Sequence, residues 1–257
     1  MKILFFTSTG NSLYVAKRIG GELLSIPQLE KDGIYNITDD VVGIICPVYG
    51  FDVPRPVRNY LNKVTIDAKY VFTVMTYGDW SMGSVSMMEK LLAQRGINLN
   101  YSNEIDMVDN YLPMFEVSKQ LEIKKDVDIE NAINLVIQDI TNQKNELLRK
   151  STAKRAISSG LSVLALSSMG NKFFIRQGKR FSITQDCTNC GICQKVCPVG
   201  NIERSTQPEF LNKCEFCLAC THLCPLNAIR LKGEKSTVRF RNSNVSLKEI
   251  ITANSQI

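Results

Sequence analysis

Eight of the nine cysteines fall between positions 187 and 224. They form two runs, Cys187-Thr-Asn-Cys190-Gly-Ile-Cys193-Gln-Lys-Val-Cys197-Pro198 and Cys214-Glu-Phe-Cys217-Leu-Ala-Cys220-Thr-His-Leu-Cys224-Pro225. Both fit C-x2-C-x2-C-x3-C-P. A tight turn with a Cys at every third residue can aim three thiolates at one centre, and the proline then sends the chain away. Zinc sites use one or two C-x2-C pairs, not two runs of four that end in Cys-Pro. A disulfide framework belongs to small secreted chains. The rest of these 257 residues is almost free of cysteine, and Met1-Lys2-Ile3-Leu4-Phe5-Phe6 turns polar too soon for a signal-peptide core. The two runs share their cysteine offsets, so they are an internal repeat of the kind a pseudo-two-fold small domain requires.

This spacing resembles that of bacterial two-cluster ferredoxins, and the resemblance implies two [4Fe-4S] clusters. In that family the fourth cysteine of each run ligates the other cluster. Carried over, Cys187, Cys190, Cys193 and Cys224 hold one cluster, and Cys214, Cys217, Cys220 and Cys197 hold the second.

The N-terminal part reads differently. Lys2–Phe6 is a short buried strand, Thr7-Ser8-Thr9-Gly10-Asn11-Ser12 a hydroxyl-rich loop, and Leu13–Leu24 an amphipathic helix. A strand, such a loop and a helix N-terminus make an anion site. The loop lacks the Gly-Lys-Ser/Thr of a P-loop, which argues against nucleotide triphosphate hydrolysis; taken alone, it is equally a plain N-capping loop. Further strands are predicted at Ile34–Ile37, Val41–Cys46, Lys69–Thr76 and within residues 98–108, with helices from Pro54/Pro56 to Leu61, at Ser84–Arg95 and at Val127–Leu148. The alternation predicts an open, doubly wound, five-stranded parallel sheet of order 2-1-3-4-5, with ligands outside the carboxyl ends of its strands.

The loop fits S/T-x-T-G-N-S/T, and residues 1–158 thereby resemble flavodoxins. The resemblance implies FMN held by Thr7, Ser8, Thr9, Gly10, Asn11 and Ser12 at its phosphate. It implies two further loops around the ring, Pro47-Val48-Tyr49-Gly50 and Thr76-Tyr77-Gly78-Asp79-Trp80 with Gly83. Tyr49, Tyr77 and Trp80 stand where ring stacking is needed, though each aromatic taken singly also suits ordinary loop packing. Gly78 and Gly83 would let backbone N–H groups approach the ring edge. Asp52 and Asp79 would disfavour the anionic, fully reduced flavin.

The chain thus resembles a flavodoxin–ferredoxin fusion: residues 1–158 flavin-binding, 159–180 a linker, 181–232 a small α+β two-cluster domain and 233–257 a tail. Charge divides the same way. Residues 1–158 hold 18 Lys+Arg and 19 Asp+Glu, residues 159–257 hold 13 and 6. A nucleic-acid patch is one reading of that excess; counter-charge for two anionic clusters, with the rest facing a protein partner, is the better one. The expected role is relay of low-potential electrons between the clusters and FMN, with a redox protein as donor or acceptor, no nucleic acid and no membrane span. A peripheral membrane contact through the basic, aromatic stretch 172–181 stays open. Reduction of an organic substrate at the flavin and a redox-sensing role are the alternatives, and a reducing, anaerobic cytoplasm is the expected setting. Cys46 reads as a buried structural thiol. His222, the single histidine, reads either as a packing residue or as a hydrogen-bond donor that tunes the second cluster.

Overall fold

The computed structural model describes residues 1–149, 151–154, 156–157, 159–160 and 178–257; most of the predicted linker, with its basic and aromatic stretch, lies outside them. In chain order the elements are β1 (Lys2–Phe5), α1 (Asn11–Ile19), β2 (Glu22–Ser25), α2 (Ile26–Asp32), β3 (Asn36–Thr38), β4 (Val41–Pro47), α3 (Arg55–Leu61), β5 (Thr65–Asp67), β6 (Tyr70–Tyr77), α4 (Ser84–Ala93), β7 (Tyr101–Asp106), α5 (Val117–Ile123), α6 (Asp126–Thr141) and β8 (Glu146–Leu147). The cysteine-rich part follows with β9 (Phe181–Ile183), α7 (Ile192–Lys195), β10 (Ile202–Arg204), β11 (Pro208–Phe210), α8 (Ala219–His222) and β12 (Ile229–Leu231), and the chain then forms α9 (Leu247–Asn254).

The main sheet is parallel, in the order β2-β1-β4-β6-β7-β8. Its first five strands are the doubly wound 2-1-3-4-5 arrangement, the flavodoxin-like one. The inner strands β4 and β6 are continuous apolar runs because both faces are covered. On one face Ile3, Phe5, Phe72 and Val74 pack with α1 and α6; on the other Leu4, Val42, Ile44 and Met75 pack with α2, α3 and α4.

Three sequence expectations are corrected. The helix predicted to reach Leu24 stops at Ile19, because Gly20 and Gly21 take φ of 86° and 99°, a left-handed backbone that glycine adopts without strain. The chain reverses there, the Glu22 N–H donates to Met1 O (3.0 Å), and Glu22–Ser25 becomes the second strand of the sheet. The segment predicted for that place instead pairs with β5 in a separate two-stranded sheet. The long last helix ends at Thr141, and Glu146–Leu147 adds a sixth, edge strand.

The cysteine-rich part is two antiparallel ribbons, β9–β12 and β10–β11, built by a repeat of 27 residues. The shift carries β9 onto β11, β10 onto β12 and α7 onto α8. It also carries the left-handed Asn189 onto Phe216 and Gly191 onto Leu218. The tail after residue 232 turns back over the sheet. Val245, Ile250 and Ala253 join the core beneath α1, together with Val196, Ala219 and Leu223 of the cysteine-rich part.

Candidate functional site

The crossed repeat gathers the thiols into two groups. Cys187, Cys190, Cys193 and Cys224 line one small apolar cavity. The Cys220 thiol feels Cys217, Cys197 and Cys214 first and Cys193 of the other group after them, and all nine cysteines are free. Backbone N–H groups donate to sulfur in matching places in the two halves: Asn189 to Cys187 (3.4 Å) and Phe216 to Cys214 (3.3 Å), Asn201 to Cys197 (3.2 Å) and Ala228 to Cys224 (3.3 Å). Burial pushes the Cys193 and Cys214 thiols up to about 11 and those of Cys217 and Cys220 well above their ordinary value. Burial favours the protonated form of these thiols, and a bound metal would displace the proton. Among the described residues no three Cys, His, Asp or Glu side chains close on a point as one metal ion would need. Sulfur-only donors, backbone N–H groups aimed at sulfur and low polarity fit an iron–sulfur cubane.

A larger cavity of about 320 Å³ opens at the carboxyl ends of β1, β4, β6 and β7, the place where doubly wound sheets bind ligands. Thr7, Ser8, Thr9, Asn11 and Ser12 line it from the β1–α1 loop. Pro47, Val48, Tyr49 and Gly50 line it after β4, and Thr76, Tyr77, Gly78 and Trp80 after β6. The remaining three expected residues, Gly10, Asp79 and Gly83, are not part of the wall. Gly10 lies under Asn242 and Val245 of the tail. Asp79 stands 3.8 Å from Lys124 and donates its N–H to Asp109. Gly83 precedes the first turn of α4.

The hydroxyl loop is set up to meet an anion. Thr9 Oγ1 accepts from Asn110 Nδ2 (2.5 Å), which leaves its O–H free to donate. Ser12 Oγ and Thr76 Oγ1 share a hydrogen bond of 2.8 Å, and Thr7 Oγ1 accepts from the Gly10 N–H (3.1 Å). No acidic residue occupies the first turn of α1, so the positive end of its dipole is uncompensated.

Two walls were missed from the sequence. One is the loop after β7, where Asp109, Asn110, Tyr111, Met114 and Phe115 line the cavity. A Cβ on Gly78 would lie 2.1 Å from Asp109 Oδ2, so glycine is needed there to admit a carboxylate. Burial raises the pKa of Asp109, against the N–H groups of Tyr111 and Asp79 that lower it. Asp52, expected to act on the ring, instead pairs with Arg58 (2.5 Å) and is buried beside it; its charge is cancelled locally. The other missed wall is the second cysteine run itself: Glu215, Phe216, Cys217 and Leu218 line the same cavity as the hydroxyl loop.

That run is tied down at several points. Glu215 receives the Arg55 N–H (3.1 Å) and Nε (2.9 Å), while Arg55 Nη2 reaches Cys214 O (3.0 Å). Burial pushes Glu215 up to about 7, with Arg55 opposing it. His222 accepts the Phe240 N–H at Nδ1 (3.1 Å), so its Nε2 carries the proton and donates to Asn110 O (2.8 Å). It therefore joins the cysteine helix to the cavity loop and the tail, and burial holds it neutral, with its pKa lowered to about 4. Cys46 is fully buried in β4, as its apolar surroundings predict.

Residues 186–229 match the family model of the 4Fe-4S dicluster domain. That match and the eight clustered cysteines support two 4Fe-4S clusters in this segment. Over 49 residues the chain is 43% identical to the polyferredoxin protein MvhB of Methanothermus fervidus, a stretch that is 18% of this chain and 11% of that protein. The chain therefore spans about 11% of the length of the curated relative it matches. A structure of the Trp repressor binding protein from Bacillus subtilis aligns over 58% of this chain and 98% of that one, with 9% identity and a TM-score of 0.36, too distant to add to what the strand order establishes. Among the described residues no helix is long and apolar enough to cross a membrane. Electron transfer through 4Fe-4S clusters is the chemistry this segment serves.

Proposed function

We propose that the chain is an electron-transfer flavoprotein that relays low-potential electrons between its two clusters and an FMN held in the 320 Å³ cavity. One observation carries the reading: Cys217, a cluster ligand, and the Thr7–Ser12 loop are walls of the same cavity. A cofactor lodged there touches both the anion-binding loop and the edge of an iron–sulfur site. The hydroxyls of Thr9 and Ser12 would hold its phosphate, Tyr49 and Trp80 would flank its ring, and the Asp109 carboxylate would face it from the β7 loop. When bound, FMN can take one or two electrons, so it can join one-electron cluster chemistry to two-electron chemistry. The chain itself fixes the distance between the two centres and removes a bimolecular encounter. Buried surroundings keep water from Cys193, Cys197 and Cys214. The partner in this reading is a redox protein.

A second reading has its own observation. Trp80 and Met114, at the rim, are 56% and 54% exposed, which leaves a face where an organic acceptor could meet the ring. Turnover that depends on such a compound would favour it over pure relay.

The test is anaerobic purification followed by analysis and kinetics. About eight iron, eight labile sulfide and one non-covalent FMN per chain are expected. Zinc in place of iron would sink the cluster part, and absence of flavin the cofactor part. Stopped-flow reduction by a low-potential ferredoxin-type donor then probes the route. Cys190→Ser removes one thiolate from one quartet only and should stop flavin reduction while leaving flavin content intact. A mutant flavin reduced as fast as the wild type would place the clusters off the path.

A further inference from the structure

The loop after β7 belongs to two regions at once. Val108 and Leu112 are buried in one cluster with Cys214, Phe216 and Leu218 of the second cysteine run and with Phe240 of the tail. The Lys235 N–H donates to Leu112 O (2.8 Å). The loop's apolar anchors therefore lie on the cysteine-rich side. Asn110, between them, reaches the other way: its Nδ2 donates to Thr9 Oγ1 (2.5 Å), in the hydroxyl loop of the sheet.

His222 holds the middle of that loop. It closes α8, between Cys220 and Cys224. The sequence allows it a donor's role toward the second cluster, but both ring nitrogens are committed elsewhere. Nδ1 accepts the Phe240 N–H (3.1 Å), and Nε2 donates to Asn110 O (2.8 Å). A place that needs an acceptor at one end of a flat ring and a donor at the other suits neutral imidazole. His222 and Thr9 are only 4% and 2% exposed, so solvent does not compete for these groups. A path of hydrogen bonds thus runs from the second cysteine run through His222 and Asn110 to the Thr9 hydroxyl. With Asn110 on its acceptor side, that hydroxyl is pre-set to donate into the cavity.

We propose that His222 is a positioning residue for the phosphate of the cavity's ligand: from within the cysteine run it fixes Asn110, and through Asn110 it aims the Thr9 hydroxyl at a phosphate monoester. The inference rests on the cofactor reading given above and goes beyond it. The grip on the phosphate is shared between the two regions, so the order of α8 is felt where FMN is held.

The experiment uses full-length, anaerobically purified protein with its clusters in place and its flavin dialysed out. Dissociation constants for FMN and for riboflavin are measured by calorimetry. His222→Ala and Asn110→Ala should each weaken FMN binding about five- to tenfold and leave riboflavin within about twofold, since each removes one hydrogen bond's worth of order at the phosphate. Combined with Thr9→Ala, neither should add a further loss, because all three act through one hydroxyl. Thr221→Val is the control for a merely structural change. Thr221 is buried on the same helix and donates to Ile229 O (2.6 Å), off the path; its loss should leave the ratio of the two affinities unchanged. Iron and sulfide analysis shows whether each variant keeps its clusters. If His222→Ala does not, His222→Gln takes its place, with a smaller loss expected in the same direction, because the amide carries both an acceptor and a donor. A ratio unmoved by the His222 variant, equal losses for the two flavins, or losses that add to that of Thr9→Ala would overturn the proposal. A wild-type protein that binds no FMN removes the cofactor reading and this inference with it, whereas FMN binding that ignores His222 removes this inference alone.

Discussion

The parallel sheet and the cysteine-rich ribbons are built on different physical grounds. The sheet has two apolar layers, and its inner strands are buried on both faces by helices whose apolar stripes match them. Burial of that surface is its driving force, at roughly 25 cal/mol per Å² of apolar area. The cysteine-rich part has three-residue strands and one-turn helices. Its own cluster of buried side chains is small and includes Cys193 and Cys197. Such a segment draws its order from metal–ligand bonds, as small metal-dependent domains do. One chain thus joins a region that folds by excluding water to a region that folds around its cargo.

The largest expected effect separates the two. Stripping the iron with acid or a chelator should disorder residues 181–231 while β1, β4 and β6 keep their amide protection, a difference of several orders of magnitude in exchange rate, read by hydrogen exchange with mass spectrometry. Simultaneous loss of protection in both regions would show that they are one cooperative unit.

Thr9→Ala should act on the sheet's cavity alone. Loss of one charge-assisted hydrogen bond costs about 1.5–3 kcal/mol, so FMN binding should weaken roughly ten- to a hundred-fold, with riboflavin binding and iron content nearly unchanged. Equal losses for FMN and riboflavin would remove the hydroxyl loop from the phosphate.

Asp109→Asn probes how closely the two regions share a cavity. Removing that carboxylate should raise the potential of the second flavin reduction by something on the order of 60 mV, the one-electron equivalent of a tenfold change, in a spectroelectrochemical titration. Cluster content should not change.

The smallest effect lies in the tail that joins them. Lys17 and the Ser246 cap hold the Glu249 carboxyl down to about 2. Its folded pKa lies below that of a free glutamate, so its contribution is present above about pH 4.5 and is lost as pH falls toward 2. Amide exchange in Leu247–Asn254 should accelerate modestly over that window, and Glu249→Gln should remove the pH dependence. The effect is small because both partners are partly exposed.

Much of this architecture is legible in the sequence, unevenly. The cysteine spacing announces the two quartets because ligand geometry tolerates few alternatives. The order of the main strands follows from unbroken apolar runs such as Val41–Cys46. The edge strand Glu22–Ser25 was hidden because Leu23 and Leu24 continue the helical stripe of α1, and only the Gly20-Gly21 pair marks the break. Asp109 and Asn110 carry no local signature: their place in the cavity depends on a tertiary contact with Gly78 and Thr9. The tail helix did carry one, since Ser246-Leu-Lys-Glu249 is a capping box and both of its hydrogen bonds form.

The tail also sets a schedule. The Asn242 N–H donates to Thr9 O (2.9 Å), and Asn254 Nδ2 reaches both Thr7 O (2.9 Å) and Val196 O (3.3 Å). The loop formed by residues 7–12 is thus braced by residues made more than two hundred positions later. During synthesis the sheet can collapse early, but its cavity loop stays unbraced until residues 242–254 have left the ribosome, well after both cysteine runs. Cluster assembly can therefore begin before the flavin site is finished. Nascent chains stalled with only residues 1–240 outside the exit tunnel should bind FMN more weakly than released protein, a timing that a pulse of labelled flavin during cell-free synthesis would read directly.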